Sequence, residues 1–379
     1  MSNNFFLEKL LDGAEVEWKT LGDSNFIEIA NNGRKPVKAS LRKPGKVPYY
    51  GANNVQDNVE GYTHEGEYVL IAEDGSASLE NYSIQHVSGK FWANNHVHVI
   101  RGTDSLNTRF LYHYLQIVNF IPFLSGGGRA KLTKGKMVEI QIPIPCPDKP
   151  EKSLAIQAEI VRILDTFTEL TTELTTELTT RKKQYNYYRD QLLTFEEGEV
   201  EWKTLGEVGE IQRGTAITQK ETKPGEFPVV ANGPTHNYYH NESNRNGEIV
   251  VVARSGAYAG LVSYWNKPIF LTDAFSIHPN NKFLTTKFLF HMLKKDQVKI
   301  HNMGKGAGVP HVRANDFMSY PIPIPPLAEQ ARIVAILDNF DALTNSITEG
   351  LPREIELRQK QYAYYRNLLL SFPRPEVVL

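Results

Sequence analysis

The octapeptide EVEWKTLG occurs at residues 15–22 and again, letter for letter, at residues 199–206. QIPIP at 141–145 is answered by PIPIP at 321–325, and AIQAEIVRILDTFTEL at 155–170 by AEQARIVAILDNFDAL at 328–343. RKKQYNYYRDQLLTF at 181–195 then returns as RQKQYAYYRNLLLSF at 358–372. The blocks keep their order, so the chain is a tandem duplication rather than a solenoid of short repeats. With 379 residues, each copy has room for a domain of ordinary size with its own core.

Between these blocks the halves match weakly but in register. YYGANN (49–54) faces VVANG (229–233), EYVLIAEDGSA (67–77) faces EIVVVARSGAY (248–258), and FWANNHVHVI (91–100) faces FLTDAFSIHP (270–279). The two globular parts therefore share a plan and present different side chains. Short apolar runs at 68–72 and 249–253, alternation at 96–100 and turns at Asn32-Gly33, Asp74-Gly75 and Asn232-Gly233 predict strands. Helical pieces recur near 108–116 and 286–294, so each part is mixed α/β with strands dominating.

The Pro-rich segments 143–147 and 321–326 force extended backbone and mark boundaries. After the first, Ile160, Ile163, Phe167, Leu170, Leu174, Leu178, Tyr185, Tyr188, Leu192 and Phe195 fall three, four or seven apart, the pattern of one long amphipathic helix. After the second, Ile333, Ile336, Phe340, Leu343 and Ile347, and beyond a step of fifteen Tyr362, Tyr365, Leu369 and Phe372, do likewise. A narrow stripe of that length wants a partner helix, and the other copy is the obvious one. The expected division is a globular domain at 1–150, a long helix at 151–197, a second globular domain at 198–326 and a second long helix at 327–379. TTEL repeats in 168–178 read as a spacer without chemistry of its own. The second helix carries four more residues between its anchors and contains Pro352, where a break or kink is expected.

Catalytic patterns are not in evidence. The sequence has no Gly-rich phosphate loop, no Asn-Pro-Pro-aromatic motif and no carboxylate pair followed by a spaced Glu-x-Lys. His96 with His98, and His236 with His240, lack a carboxylate or cysteine at metal-site spacing, so no metal is expected. One cysteine, Cys146, excludes an internal disulfide. No apolar run approaches a membrane span, and no basic flank followed by an apolar block opens the chain, which makes the cytoplasm the default compartment. A net charge of −1 argues against a basic coat, so contact with nucleic acid would rest on local charge. Two clusters supply it: Arg34, Lys35, Lys38, Arg42, Lys43 and Lys46, and Arg129, Lys131, Lys134 and Lys136. Either one is equally readable as a solvated loop.

Two divergent globular units alternating with near-copies of a long helix, the IPIP entry motifs and the RxKQYxYYR helix ends resemble the specificity subunits of type I restriction-modification systems over practically the whole chain. The GANN, LIAEDGSA and FWANNH blocks, and ANG, ARSGAYAG and TDAFSI in the second half, look like that family's target-recognition domains. The resemblance implies two strand-rich, mixed α/β recognition domains separated by two long antiparallel coiled-coil-like helices in a pseudo-two-fold tandem repeat. It implies a non-catalytic subunit that reads an asymmetric bipartite target in double-stranded DNA. Its expected partners are two methyltransferase subunits using S-adenosylmethionine and two restriction/translocase subunits using ATP and Mg2+, with no cofactor in this chain. An orphan subunit borrowing its partners, a restriction-enzyme fragment with its own nuclease activity and a pure scaffold are the alternatives.

By the same resemblance, DNA contacts fall in loops of each recognition domain. The candidates are Asn53, Asn54, Glu73, Asp74, Ser76, Asn94, Asn95, Arg129, Lys131, Lys134 and Lys136 in the first, and Asn232, Arg254, Ser255, Tyr258, Asp273, Lys305, His311 and Arg313 in the second. A carboxylate such as Glu73 or Asp74 accepts from cytosine or adenine amino groups, whereas Arg254 would donate in bidentate fashion to guanine. A plain turn at Asp74-Gly75 and a core-edge ion pair at Arg254 are the competing readings.

Overall fold

The computed structural model describes residues 5–126, 130–196, 198–236, 238–304, 310–346 and 348–374. It divides into two compact units, one made of Met1–Glu173 with Ile355–Leu379, the other of Leu174–Glu354. Each unit joins one globular head to a part of both long helical segments.

In the first unit α1 (Phe5–Leu11) leads into β1 (Val16–Thr20), β2 (Ile27–Ile29), β3 (Pro44–Tyr50), β4 (Val55–Val59), β5 (His64–Glu65) and β6 (Tyr68–Ala72). Then come β7 (Ile84–Val87), β8 (Lys90–Ala93), β9 (Val97–Gly102), α2 (Thr108–Leu115), α3 (Lys134–Met137) and β10 (Gln141–Pro145). One antiparallel sheet has the order β2-β9-β6-β7; a second, β4-β3-β8-β5, has β3 parallel to β8. Strand β6 reads YVLIA because both of its faces are covered. Val69 and Ile71 enter the core with Phe110 and Leu111 of α2, while the alternate Tyr68 and Leu70 enter a smaller core with Phe91, Val97 and Val99. Asn107 starts α2 by accepting from the Arg109 and Phe110 amides.

The second unit repeats this plan with β11 (Glu201–Thr204), α5 (Leu205–Val208), β12 (Gly209–Arg213), β13 (Phe227–Val230), β14 (Tyr239–His240), β15 (Glu248–Ala253), β16 (Val262–Asn266), β17 (Phe270–Leu271) and β18 (Ala274–Pro279). After them come α6 (Thr286–Lys295), α7 (Gln297–Asn302), α8 (Ala314–Met318) and β19 (Pro321–Ile324). Its sheets are β12-β18-β15-β16 and β14-β13-β17. Val250 and Val252 of β15 face the helical core, and Ile249 and Val251 face the smaller one.

The two repeated motifs of each half are partners. EVEWKT forms β1 and β11, and the proline-rich segments form β10 and β19, each an antiparallel two-stranded ladder with Trp18 opposite Pro143 and Trp202 opposite Pro323. Proline is tolerated on such an edge because its missing N–H points away from the ladder.

Helix α4 (Pro150–Leu192) is continuous over 43 residues, about 65 Å. The spacer threonines stay helical and fold back on themselves: Thr172, Thr179 and Thr180 hydroxyls donate to the carbonyls of Thr168, Thr175 and Thr176. The second segment is split into α9 (Leu327–Asn345) and α10 (Gly350–Leu369). The break lies before Pro352, which sits in the first turn of α10, where its missing N–H costs nothing.

Within the first unit, His113 lies 2.8 Å from Asp165 and 3.1 Å from the Tyr362 hydroxyl, Arg109 donates to Asp165 at 2.8 Å, and the Asn107 amide donates to Gln157. Phe372, past the end of α10, packs on Phe110. Asp165 thus meets the head beside Tyr362, and Gln157 meets it on the side of Phe372, so α4 and α10 run antiparallel there. In the second unit His291 and Lys287 pair with Asp338, Gln330 accepts from the Thr285 amide, and Tyr188 stacks on Phe340. The repeated Gln and Asp of the helix blocks therefore fasten each head to its helices.

Candidate nucleic-acid interface

Three loops converge at the same end of each head, and backbone hydrogen bonds hold them. In the first head the Glu73 amide donates to His96 O at 2.8 Å, the Leu132 amide donates to Glu73 O at 2.7 Å, and Asp74 bridges Lys131. In the second the Arg254 amide donates to Asp273 O at 3.1 Å, the Val312 amide donates to Arg254 O at 2.9 Å, and Ser255 bridges His311. Leu132 and Val312 are fully buried pegs at equivalent positions. One backbone frame therefore carries two different sets of polar side chains.

In the first head Glu73 is a hub. Arg34 donates to it at 2.6 Å, Lys131 at 3.0 Å, and the buried His98 lies 3.8 Å away. Burial pushes the Glu73 carboxyl up, but the hydrogen bonds from Arg34 and Lys131 outweigh it and hold it below the usual carboxylate range. Burial also lowers His98 below its usual range; its ring approaches Leu132 O at 2.7 Å and Asn31 at 3.0 Å. Asp74 pairs with His96 at 2.6 Å. Thus His96 and His98 face different partners, and among the described residues no three His, Cys, Asp or Glu side chains converge as a metal site.

The asparagines mostly build the frame. Asn53 donates to Gly75 O and accepts from the Ala77 amide, tying down the turn, and Ser76 accepts from the Ser83 amide. Asn54 caps the Val55 amide, and Asn94 is buried, accepting from the His96 amide. Asn95, Lys131, Lys134 and Lys136 are exposed, with Lys136 paired to Glu139. Arg34 and Arg42 of the basic run are spoken for, by Glu73 and by the Tyr49 ring with Asp57, which leaves Lys35, Lys38, Lys43 and Lys46 exposed along it.

In the second head Asp273, at φ +38°, accepts from Ser255 and from Asn232, and its other oxygen lies 3.3 Å from Arg254, which is half exposed. Tyr258 is exposed on the same loop. Arg254, Asp273, His311 and Arg313 line one open cleft of about 990 Å³ together with Arg213 and Thr218. Arg213 carries no signal in the sequence, because it ends a strand in a stretch where the halves do not align. Arg129 and Lys305 lie outside the described residues.

Two heads on one backbone plan, carrying unlike polar loops at equivalent positions, define a duplicated recognition protein. The sequence profile of the type I restriction modification DNA specificity domain matches residues 15–181 and 197–357, and the chain belongs to that family of specificity subunits. It is 47% identical over 98% of its length to 99% of a Haemophilus influenzae protein assigned as a type I restriction enzyme specificity subunit. It is 38% identical, over the full length of both chains, to a type I restriction enzyme specificity subunit from Escherichia coli. In fold it is similar to the crystal structure of the type I restriction-modification S subunit from M. genitalium, with a TM-score of 0.69 at 16% identity over 96% of this chain and 98% of that one. Among the described residues no helix is long and apolar enough to cross a membrane.

Proposed function

We propose that each head reads its own half of an asymmetric, bipartite DNA target through its three-loop cluster. In this reading the chain brings two methyltransferase subunits, which use S-adenosylmethionine, and two restriction/translocase subunits, which use ATP and Mg2+, to that target in the cytoplasm. The chain itself holds no cofactor. What supports this is the identical backbone frame with unlike side chains: Glu73, Asp74 and Lys131 occupy the positions of Arg254, Ser255 and His311. Base edges in the major groove are told apart by donor and acceptor pattern, so such an exchange alters which base is accepted while leaving the docking frame intact. The Arg254 guanidinium is the chain's donor to guanine, and Lys134 and the exposed lysines of the 35–46 run are phosphate contacts. The test is a chimera in which residues 207–320 are replaced by the equivalent segment of another specificity subunit. One half-site changes and the other stays; a target altered in both halves refutes independent reading.

A further inference from the structure

The two heads share a turn and furnish it with opposite chemistry. Ahead of β3 and of β13 the chain makes one turn of 3-10 helix, Ala39–Leu41 in the first head and Gln219–Glu221 in the second. The Leu41 amide donates to Lys38 O and the Glu221 amide to Thr218 O, and Lys-Pro-Gly begins two residues further on in both copies. The strands that follow also pair alike, Tyr49 and Tyr50 with Trp92 and Ala93, Val229 and Val230 with Phe270 and Leu271. Leu41 and Glu221 therefore occupy one position.

In the second head that position belongs to the reading cleft, which Ile217, Thr218 and Glu221 line together with Arg254, Asp273 and His311. Glu221 is turned back onto its own turn there, accepting from the Thr218 amide and hydroxyl, each at 2.7 Å. In the first head Lys38 replaces that threonine, and the leucine that replaces the glutamate is 70% exposed. The turn does not depend on it. The Val37 amide donates to the buried Tyr49 hydroxyl at 3.0 Å, and Arg42 donates to Val37 O at 3.2 Å while lying 4.1 Å over the Tyr49 ring. An apolar side chain is thus held out on a fixed turn, in a stretch with no acidic residue from 34 to 56 and with Lys35, Lys38, Lys43 and Lys46 exposed on either side of it in sequence. Lysines that grip phosphates before and after the turn set its apex over the groove between them. In the major groove the apolar group that a base pair presents is the C5-methyl of thymine.

We propose that Leu41 is a specificity-determining residue of the first head and reads the C5-methyl of a thymine, fixing an A·T pair in that half-site. This rests on the functional reading above. One methyl group taken out of water corresponds to about a fourfold change in binding constant. The first head's half-site is the one that the 207–320 chimera leaves unchanged. The assembled complex is titrated against its selected target with each thymine of that half-site replaced in turn by deoxyuridine, which pairs identically and lacks the methyl. One replacement weakens the native complex about fourfold. Leu41→Ala binds the thymine duplex more weakly by at least as much, the same replacement costs it nothing further, and library selection with this variant relaxes one A·T position while the other half-site keeps its bases. Uracil tolerated at every position by the native complex, or a uracil penalty that survives in Leu41→Ala, overturns the assignment. So does a variant that bends DNA less without any sensitivity to uracil, the mark of a leucine wedged into the minor groove. Selection that returns no discrete target defeats the functional reading itself, whereas a bipartite target indifferent to Leu41 defeats only this inference.

Discussion

Replacing Arg254 by Ala separates a reading residue from a framing one. Its side chain is half exposed and its ion pair with Asp273 is loose at 3.3 Å, so losing that pair costs about 0 to 1 kcal/mol of stability. The Asp273 carboxylate keeps Ser255 and Asn232 after the change, so no buried charge is stranded. A bidentate contact to guanine, by contrast, is worth about 1 to 3 kcal/mol, or roughly 5- to 150-fold at one base position. Binding selection from a randomised duplex library, with the assembled complex, should therefore return the native target relaxed at a single base. The melting temperature should fall by no more than about 2 to 4 °C. Glu73→Ala is the contrast, because it leaves the half-buried Arg34 only its bonds to the Asn31 and Val97 carbonyls and removes the carboxylate beside buried His98, at a cost of about 1 to 3 kcal/mol. If Arg254→Ala weakened all sequences alike, or melted the protein as Glu73→Ala does, the assignment of Arg254 to base reading would be wrong.

Lys134→Ala, at an exposed position in α3, should weaken every sequence equally and reduce the slope of log affinity against log salt by about 1; a change in sequence preference would contradict a phosphate contact. Deleting Thr175–Leu178 shortens α4 by about 6 Å and turns its continuation by about 40°, so library selection should return half-sites one or two base pairs closer with their bases unchanged. The original spacing at full affinity would show that the helix does not measure distance. Burial holds the His113 imidazole down to about 4, whereas in the unfolded chain it titrates near 6.5. Its folded pKa is the lower one, so its contribution is complete above about pH 6.5 and is lost as pH falls towards 4, on the order of 3 kcal/mol in all. Denaturant titrations of His113→Asn should show a flatter stability profile across that window, and an unchanged slope would remove His113 as its source.

The duplication and the helices were legible in the sequence because both are written in local order: repeated letters in one case, a spacing of three and four in the other. The ladder of EVEWKT on the proline-rich strand was not, since Trp18 and Pro143 meet across a whole domain and no periodicity records a partner. The break expected near Pro352 is present, between Asn345 and Gly350, but its cause is not the proline's missing N–H. In the first turn of α10 a proline neither removes a needed N–H nor meets a helical carbonyl four residues back, and the chain turns instead at Gly350, φ +74°, where a Cβ would stand 2.4 Å from Ala342 O.

The site divides along the same line. Asp74-Gly75 was visible as a turn, and Gly75 indeed has φ +74°. That Glu73 is committed to Arg34, 39 residues away, was not visible, and the pairing changes what each residue can do. A carboxylate already receiving two cations has little capacity left for a cytosine amino group, and an arginine bound to it is not free for phosphate. On the proposal above, reading in the first head therefore shifts to what the frame leaves exposed, Asn95 above all, since Lys131 is the second cation on Glu73, while in the second head Arg254 stays half exposed and its carboxylate partner also accepts from Ser255 and Asn232. On that proposal, the polar residues left to read DNA are the ones the frame has not already consumed.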